Sequence, residues 1–100
     1  MFYNKEIHLL EFSEGYTDDY GIWHDGEEEV IKTLKADVQP YNKELLKKEY
    51  GFDTDCSRRI FCDFLSWIET GKIIKYNNKN YKIVAIMWDD EFLDFAVDEV

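Results

Sequence analysis

Alternation of apolar and polar side chains dominates this chain. Ile7 and Leu9, then Leu10 and Phe12, are broken by His8 and Glu11, which predicts a half-buried strand over residues 6–12. Val30, Ile31, Leu34, Ala36 and Val38 interleave with Lys32, Lys35 and Asp37. The second half of that stretch alternates strictly, which predicts a strand over 28–39 ending at Pro40, a residue with no N–H to give to a ladder. Residues 72–76 and 80–88 flank Asn77-Asn78-Lys79-Asn80, and asparagine tolerates the positive φ of tight hairpin turns, so a β-hairpin is predicted there. Tyr76 and Tyr81 should lie near each other across it, with Ile74, Ile83, Val84 and Ile86 supplying core contacts. Asp89-Asp90 breaks the run, and residues 92–97 offer one more short strand.

Helical signals gather at one place. Asn42 can cap a helix through its side-chain oxygen, Glu44 lies in the first turn, and Leu45, Leu46 and Tyr50 can form one face. Lys47 and Lys48 suit the carbonyl end, and Gly51 can take the left-handed closing position, so a short helix is expected at about 42–50. Residues 57–68 fit both periods: Ile60, Phe61, Phe64, Leu65 and Ile68 follow a helical stripe, whereas Arg58, Ile60, Cys62 and Phe64 follow a strand. Bulky aromatic and β-branched residues favour a strand over 57–63, followed by a loop or short turn of helix carrying Leu65, Trp67 and Ile68. Ser13-Glu14-Gly15 and Thr17-Asp18-Asp19 are turn chemistry, and a brief aromatic piece spans 21–25, so a mobile loop is expected near 13–26.

The predicted architecture is therefore mainly β: a small antiparallel β-barrel of about six strands with one short helix, in a single domain spanning 1–100. A hydrophobic fraction of 45%, with 17% aromatic, is ample for one core. Folding at this length removes roughly two-thirds of the unfolded chain's surface from water, so assembly with other subunits would add to a modest stability. The 22 acidic residues against 12 basic ones give a formal charge of −10, which repels phosphate backbones and anionic membrane surfaces. No charged leader with a long apolar stretch opens the sequence and the longest apolar run, 83–88, is far short of a membrane span, so a soluble protein with no membrane partner is expected.

Candidate chemistry is sparse. Cys56 and Cys62, five residues apart, have neither zinc-knuckle nor redox spacing and are expected to be reduced structural thiols. Asp53/Asp55 and Asp89/Asp90 lack the alternating oxygen donors and distant glutamate of a calcium loop, and Glu27-Glu28-Glu29 reads as solvated. His8 and His24 stand in no metal-ligand spacing, and the five glycines are too scattered for a phosphate-cradling loop. No catalytic residue, metal or cofactor is expected. Trp23, Trp67 and Trp88 could stack bases, but the cationic groove that accompanies such platforms is missing. The aromatics read instead as core and interface residues, with Phe64-Leu65-Ser66-Trp67-Ile68 as the leading exposed patch.

The order of elements completes a further pattern. The strand Ala36-Asp37-Val38-Gln39-Pro40-Tyr41, the helix Lys43 to Gly51, the strand Arg58-Arg59-Ile60-Phe61-Cys62-Asp63 and the hairpin Gly71 to Tyr76 closed by Tyr81-Lys82-Ile83-Val84 and Trp88-Asp89-Asp90 together resemble the head-closure (head-tail joining) proteins of tailed bacteriophages and related prophages of Gram-positive bacteria. The likeness covers roughly residues 28–95; asparagines replace the glycine usual in the hairpin turn, and the 60s segment is unusually aromatic. The resemblance implies a virion structural subunit with no enzyme activity, monomeric in solution and present in the host cytoplasm before assembly. It would join a homo-oligomeric ring of twelve below the portal or adaptor proteins, contact a tail-completion protein and help retain DNA that passes through an acidic lumen without specific binding. Subunit contacts would then fall on the loops 15–25 and 64–70, with Tyr16, Tyr20, Trp23, Phe64, Leu65, Trp67 and Ile68 as interface residues. Two other readings stand beside it: an acidic DNA-mimic inhibitor, motivated by the charge, and a small enzyme using Cys56 or Cys62 with a histidine.

Overall fold

The computed structural model describes residues 3–100. Its elements run β1 (Lys5–Phe12), β2 (Tyr16–Thr17), β3 (Trp23–His24), β4 (Glu28–Pro40), α1 (Lys43–Tyr50), β5 (Arg58–Asp63), β6 (Ile73–Tyr76), β7 (Lys79–Asp89) and β8 (Phe92–Glu99). Six of the strands close an antiparallel barrel in the order β1-β4-β5-β8-β7-β6, while β2 and β3 pair only with each other. The expected mainly β architecture, the closed six-stranded barrel and the single short helix are all present. Residues 64–69 form neither strand nor helix, but a turn in which the Ile68 N–H donates to the Leu65 carbonyl at 3.1 Å.

The barrel interior follows from the alternation. Ile7, Leu9, Ala36, Ile60, Cys62, Ile74, Tyr81, Ile83, Leu93, Phe95 and Val97 point inward and are buried. The β6–β7 turn has Asn77 and Asn78 at φ 51° and 62°, the paired positive values of a two-residue hairpin turn that follows the strand twist. Tyr76 and Tyr81 lie with ring centroids 6.5 Å apart, as the hairpin register requires.

Strand β8 is buried on both faces because α1 covers its outer side. Leu46 packs there with Tyr41, Ala85 and Ala96, and the two alanines let the helix approach the sheet closely. Asn42 Oδ1 accepts from the Leu45 N–H at 2.9 Å, and Gly51 closes the helix at φ 78° with its N–H on the Lys47 carbonyl. The helical face is narrower than expected: Leu46 alone is fully buried, whereas Leu45 and Tyr50 are exposed. Extra residues in β7, at Val84 and Met87, shift its register against β8. Such bulges increase twist and help a sheet of few strands to close.

Beneath the helix, Arg59 forms a bidentate pair with Asp94, Nε to Oδ1 at 2.9 Å and Nη2 to Oδ2 at 2.6 Å. The two side chains are 17% and 4% exposed. Arg59 also donates to the Tyr50 hydroxyl at 2.7 Å, and its guanidinium lies within 5.5 Å of the ring centres of Tyr41, Tyr50 and Phe61. Its pKa is raised, first by the hydrogen bonds to Asp94, so the cation is fixed.

Candidate interaction surface

The chain between β1 and β4 does not join the barrel. From Glu11 to Thr33 no residue is buried, and only Gly15 and Asp18 are half-buried. The molecule measures 54 × 27 × 23 Å, with a radius of gyration of 15.5 Å. A compact domain of this length would have about 13 Å. The end of β1, the β2–β3 hairpin and the start of β4 thus form an arm that projects from the barrel.

The arm's tip, where a mobile loop is expected from the turn residues, carries a short two-stranded hairpin and a network of polar bonds. Asp18 organises it: Oδ1 accepts from the backbone N–H groups of Tyr20 and Ile22 at 2.9 and 3.0 Å, and Oδ2 lies 2.8 Å from His24 Nε2. The His24 bond, then that of Ile22, holds the Asp18 carboxyl below its ordinary range. Tyr16 stacks on His24 with ring centroids 4.8 Å apart, and Trp23 Nε1 donates to Asp25 at 2.7 Å. Trp23 lies against the bare Cα of Gly15, where a Cβ would overlap the indole ring. At the neck, the Ser13 N–H donates to the Glu27 carbonyl at 2.9 Å and the Glu27 N–H to Ser13 Oγ at 2.7 Å. Closer to the barrel, Glu28 reaches Lys75 at 2.5 Å and Asn80 at 3.0 Å, and these bonds lower its pKa.

Two properties set the arm apart chemically. It exposes Phe12, Tyr16, Tyr20, Ile22, Trp23, Val30 and Ile31, with Tyr20 89% accessible. It also concentrates the charge: residues 11–29 hold eight acidic side chains and no Lys or Arg, leaving fourteen acidic against twelve basic in the rest of the chain. Exposed aromatic clusters rimmed by charge are the usual composition of a protein-binding patch.

The second expected patch divides. Phe64 is exposed, Leu65 and Trp67 are half-buried against the barrel interior, and Ile68 is 5% accessible and part of the core. Within the expected 64–68 patch Phe64 is the exposed apolar residue, because the turn after β5 folds Ile68 into the core and half-buries Leu65 and Trp67. Lys72 lies over the Trp67 ring at 5.3 Å. Phe64 and Leu65 line a groove of about 370 Å³ whose other wall is Lys32, Thr33, Leu34 and Lys35 of β4. Phe64 and the base of the arm thus flank one groove.

That groove lies along an unpaired backbone edge. On one side β4 pairs with β1 through residues 28–36; on the other β5 pairs only with 36–40. Among the described residues, 28–35 of β4 consequently have no second strand. The register against β1 slips between Leu9 and Leu10, leaving Ile31 as the extra residue.

The remaining candidates are poorer sites, and the larger groove among them shares Thr33 and Lys35 with this surface. A second, open groove of about 810 Å³ is lined by Lys5, Glu6, His8, Thr33, Lys35 and Lys75, but Lys35 is paired with Glu6 and Lys75 with Glu28. Cys62 is inside the barrel, where burial pushes its thiol up to about 12, and burial also raises Cys56. Both shifts are opposite to what a thiolate nucleophile needs. No group of three or more His, Cys, Asp or Glu side chains suited to a metal ion occurs among the described residues. Compared with protein-family models and with curated proteins, the chain matches no family and no curated sequence.

Proposed function

We propose that this chain is a structural subunit of a bacteriophage or prophage head-tail connector, assembling as a ring of twelve below the portal or adaptor proteins and meeting a tail-completion protein on its other side. The observation that carries the reading is a closed barrel, with no free edge around most of its wall, joined to an arm whose aromatic side chains stay exposed to solvent. A barrel of this kind gives a ring its rigid wall, and an arm of this kind gives each subunit a reach beyond its own perimeter. The arm's unbalanced carboxylates suit a channel past which DNA slides, because like charge lowers the affinity for phosphate.

The test is negative-stain imaging of the purified chain mixed with the portal assembly of the same phage or prophage. An added ring of density below the portal is expected, and Trp23→Ala should weaken it; a bare portal at saturating protein would end the proposal. A DNA-mimic inhibitor also uses clustered carboxylates, but it would leave the portal bare and inhibit a nucleic-acid enzyme instead. The arm's exposed aromatics favour a protein socket over that role, since a DNA mimic presents charge at phosphate spacing rather than apolar rings.

A further inference from the structure

The unpaired stretch of β4 is the feature that the connector reading does not use. Eight consecutive residues, Glu28 to Lys35, leave one row of backbone N–H and C=O groups without a strand beside them. An edge of that length is a template for strand addition. This one carries Val30 and Ile31, both β-branched and exposed.

We infer that two copies of this chain pair antiparallel through β4, forming a two-fold dimer in which each arm lies beside the base of the other. The occupant follows from the charges. Glu28 is already engaged by Lys75, and Lys35 by Glu6. Glu29 and Lys32 are exposed and form no ion pair among the described residues. An antiparallel pairing centred between Val30 and Ile31 sets Glu29 opposite the second copy's Lys32, Val30 opposite its Ile31 and Glu28 opposite its Thr33. The two-fold axis repeats each pair, so the charges left free by the monomer meet each other twice. Directly opposed unlike charges and β-branched pairs are the stabilising cross-strand combinations, and a self-complementary patch is what a two-fold interface requires.

The same register sets Glu27 and Gly26 opposite Leu34 and Lys35 of the other copy, so the acidic base of each arm runs next to Phe64 and the 370 Å³ groove. A parallel pairing would instead stack the two acidic tips together, eight carboxyl groups against eight. The inferred dimer differs from the monomer expected from the sequence, and it rests on the β4 edge alone, independently of the connector reading.

Sedimentation equilibrium of the purified full chain, in a dilution series without any partner, tests it. A concentration-dependent mass rising to twice the 12.0 kDa chain is expected. Glu29→Lys and Lys32→Glu should each weaken association about tenfold or more, since each sets like charges opposite one another twice. The double swap should restore it. Hydrogen exchange of the 28–33 amides should slow as concentration rises, and circular dichroism checks that each variant keeps the barrel. A monomer at millimolar concentration overturns the inference, as does a dimer indifferent to the single swaps, a double swap that fails to rescue, or a larger assembly. A chain that docks on the portal yet stays monomeric when free would sink the dimer and leave the connector reading standing; the converse result would do the opposite.

Discussion

The barrel and the arm are built from the same kinds of residue and treat them in opposite ways. In the barrel, Ile7, Ile60, Ile74, Ile83, Phe95 and Val97 are sealed from water, and outside β8 the helix covers a further set. In the arm, Phe12, Tyr16, Tyr20, Ile22, Trp23, Val30 and Ile31 are open to solvent, and a network of polar bonds centred on Asp18 sets the tip's shape. The difference is one of closure: six strands that meet around a ring bury a face, whereas a two-stranded extension has no opposing layer to bury one against. Hydrophobic burial supplies the barrel's stability; the arm's apolar area is left available for another polypeptide.

The contrast breaks most visibly at its apolar residues. Phe95→Ala removes a fully buried ring from the barrel centre and should cost about 3–5 kcal/mol. That is a large part of the roughly 5–15 kcal/mol that holds a domain of this kind together. Tyr20→Ala removes an aromatic ring of similar size from the arm tip and should change stability by no more than about 0.5 kcal/mol. Urea unfolding followed by far-ultraviolet circular dichroism measures both. Equal losses at the two positions would mean that the arm packs on the barrel in solution.

Ion pairs should sort by region in the same way, with a smaller spread. Asp94→Ala strands the Arg59 guanidinium beneath α1, and a cation left unpaired in such a place costs about 3 kcal/mol. Glu6→Gln breaks an exposed pair with Lys35 on the outer surface of β1 and β4 and should cost far less, because solvent screens such pairs. If the two substitutions moved the unfolding midpoint alike, the Arg59–Asp94 pair would not be holding the helix to the barrel.

Most of the barrel was legible in the sequence because its elements are specified locally. Strict alternation marks the second half of β4, the Asn77-Asn78 pair fixes a hairpin, and Asn42 with Gly51 brackets a helix. What escaped are features made by separation and by length. Arg59 and Asp94 lie 35 residues apart, and their pairing depends on β5 and β8 being neighbours. The end of the strand at Asp63 is expected from the sequence, but the inward turn of Trp67 and Ile68 depends on the barrel interior they pack against, which no local period announces. The bare β4 edge exists because β4 has 13 residues and β5 only six, a mismatch visible only once the strands are paired. The arm's charge was within reach, since no Lys or Arg occurs between Lys5 and Lys32, but a net charge taken over the whole chain hides it.

The smallest effects should appear in the pH dependence, where arm and barrel respond at opposite ends of the scale. Asp18 is held low by His24, Glu28 by Lys75 and Asn80, and Glu6 by Lys35. For carboxyls lowered on folding, the folded state binds fewer protons than the unfolded one only below the ordinary carboxylate value. Their stabilisation is complete above about pH 4 and is lost as pH falls through the folded values. The Asp18 network, which shapes the tip, should therefore loosen as its carboxyl takes up a proton below the ordinary carboxylate range, seen as a change in the Trp23 indole resonance while barrel amides stay fixed. At the alkaline end, Cys62 and Tyr41 are pushed up to about 12 by burial. Once pH passes the unfolded thiol value of about 8.5, the unfolded chain sheds a proton that the folded barrel retains, so barrel stability declines. Cys62→Ala should reduce the part of that decline that begins near the thiol value, leaving the share of Cys56, also raised by burial, and the later part due to Tyr41. An alkaline limb unchanged by the substitution would show that the thiol is not sealed in the barrel, and an acid transition moving tip and barrel resonances together would show that the arm is not a separate unit.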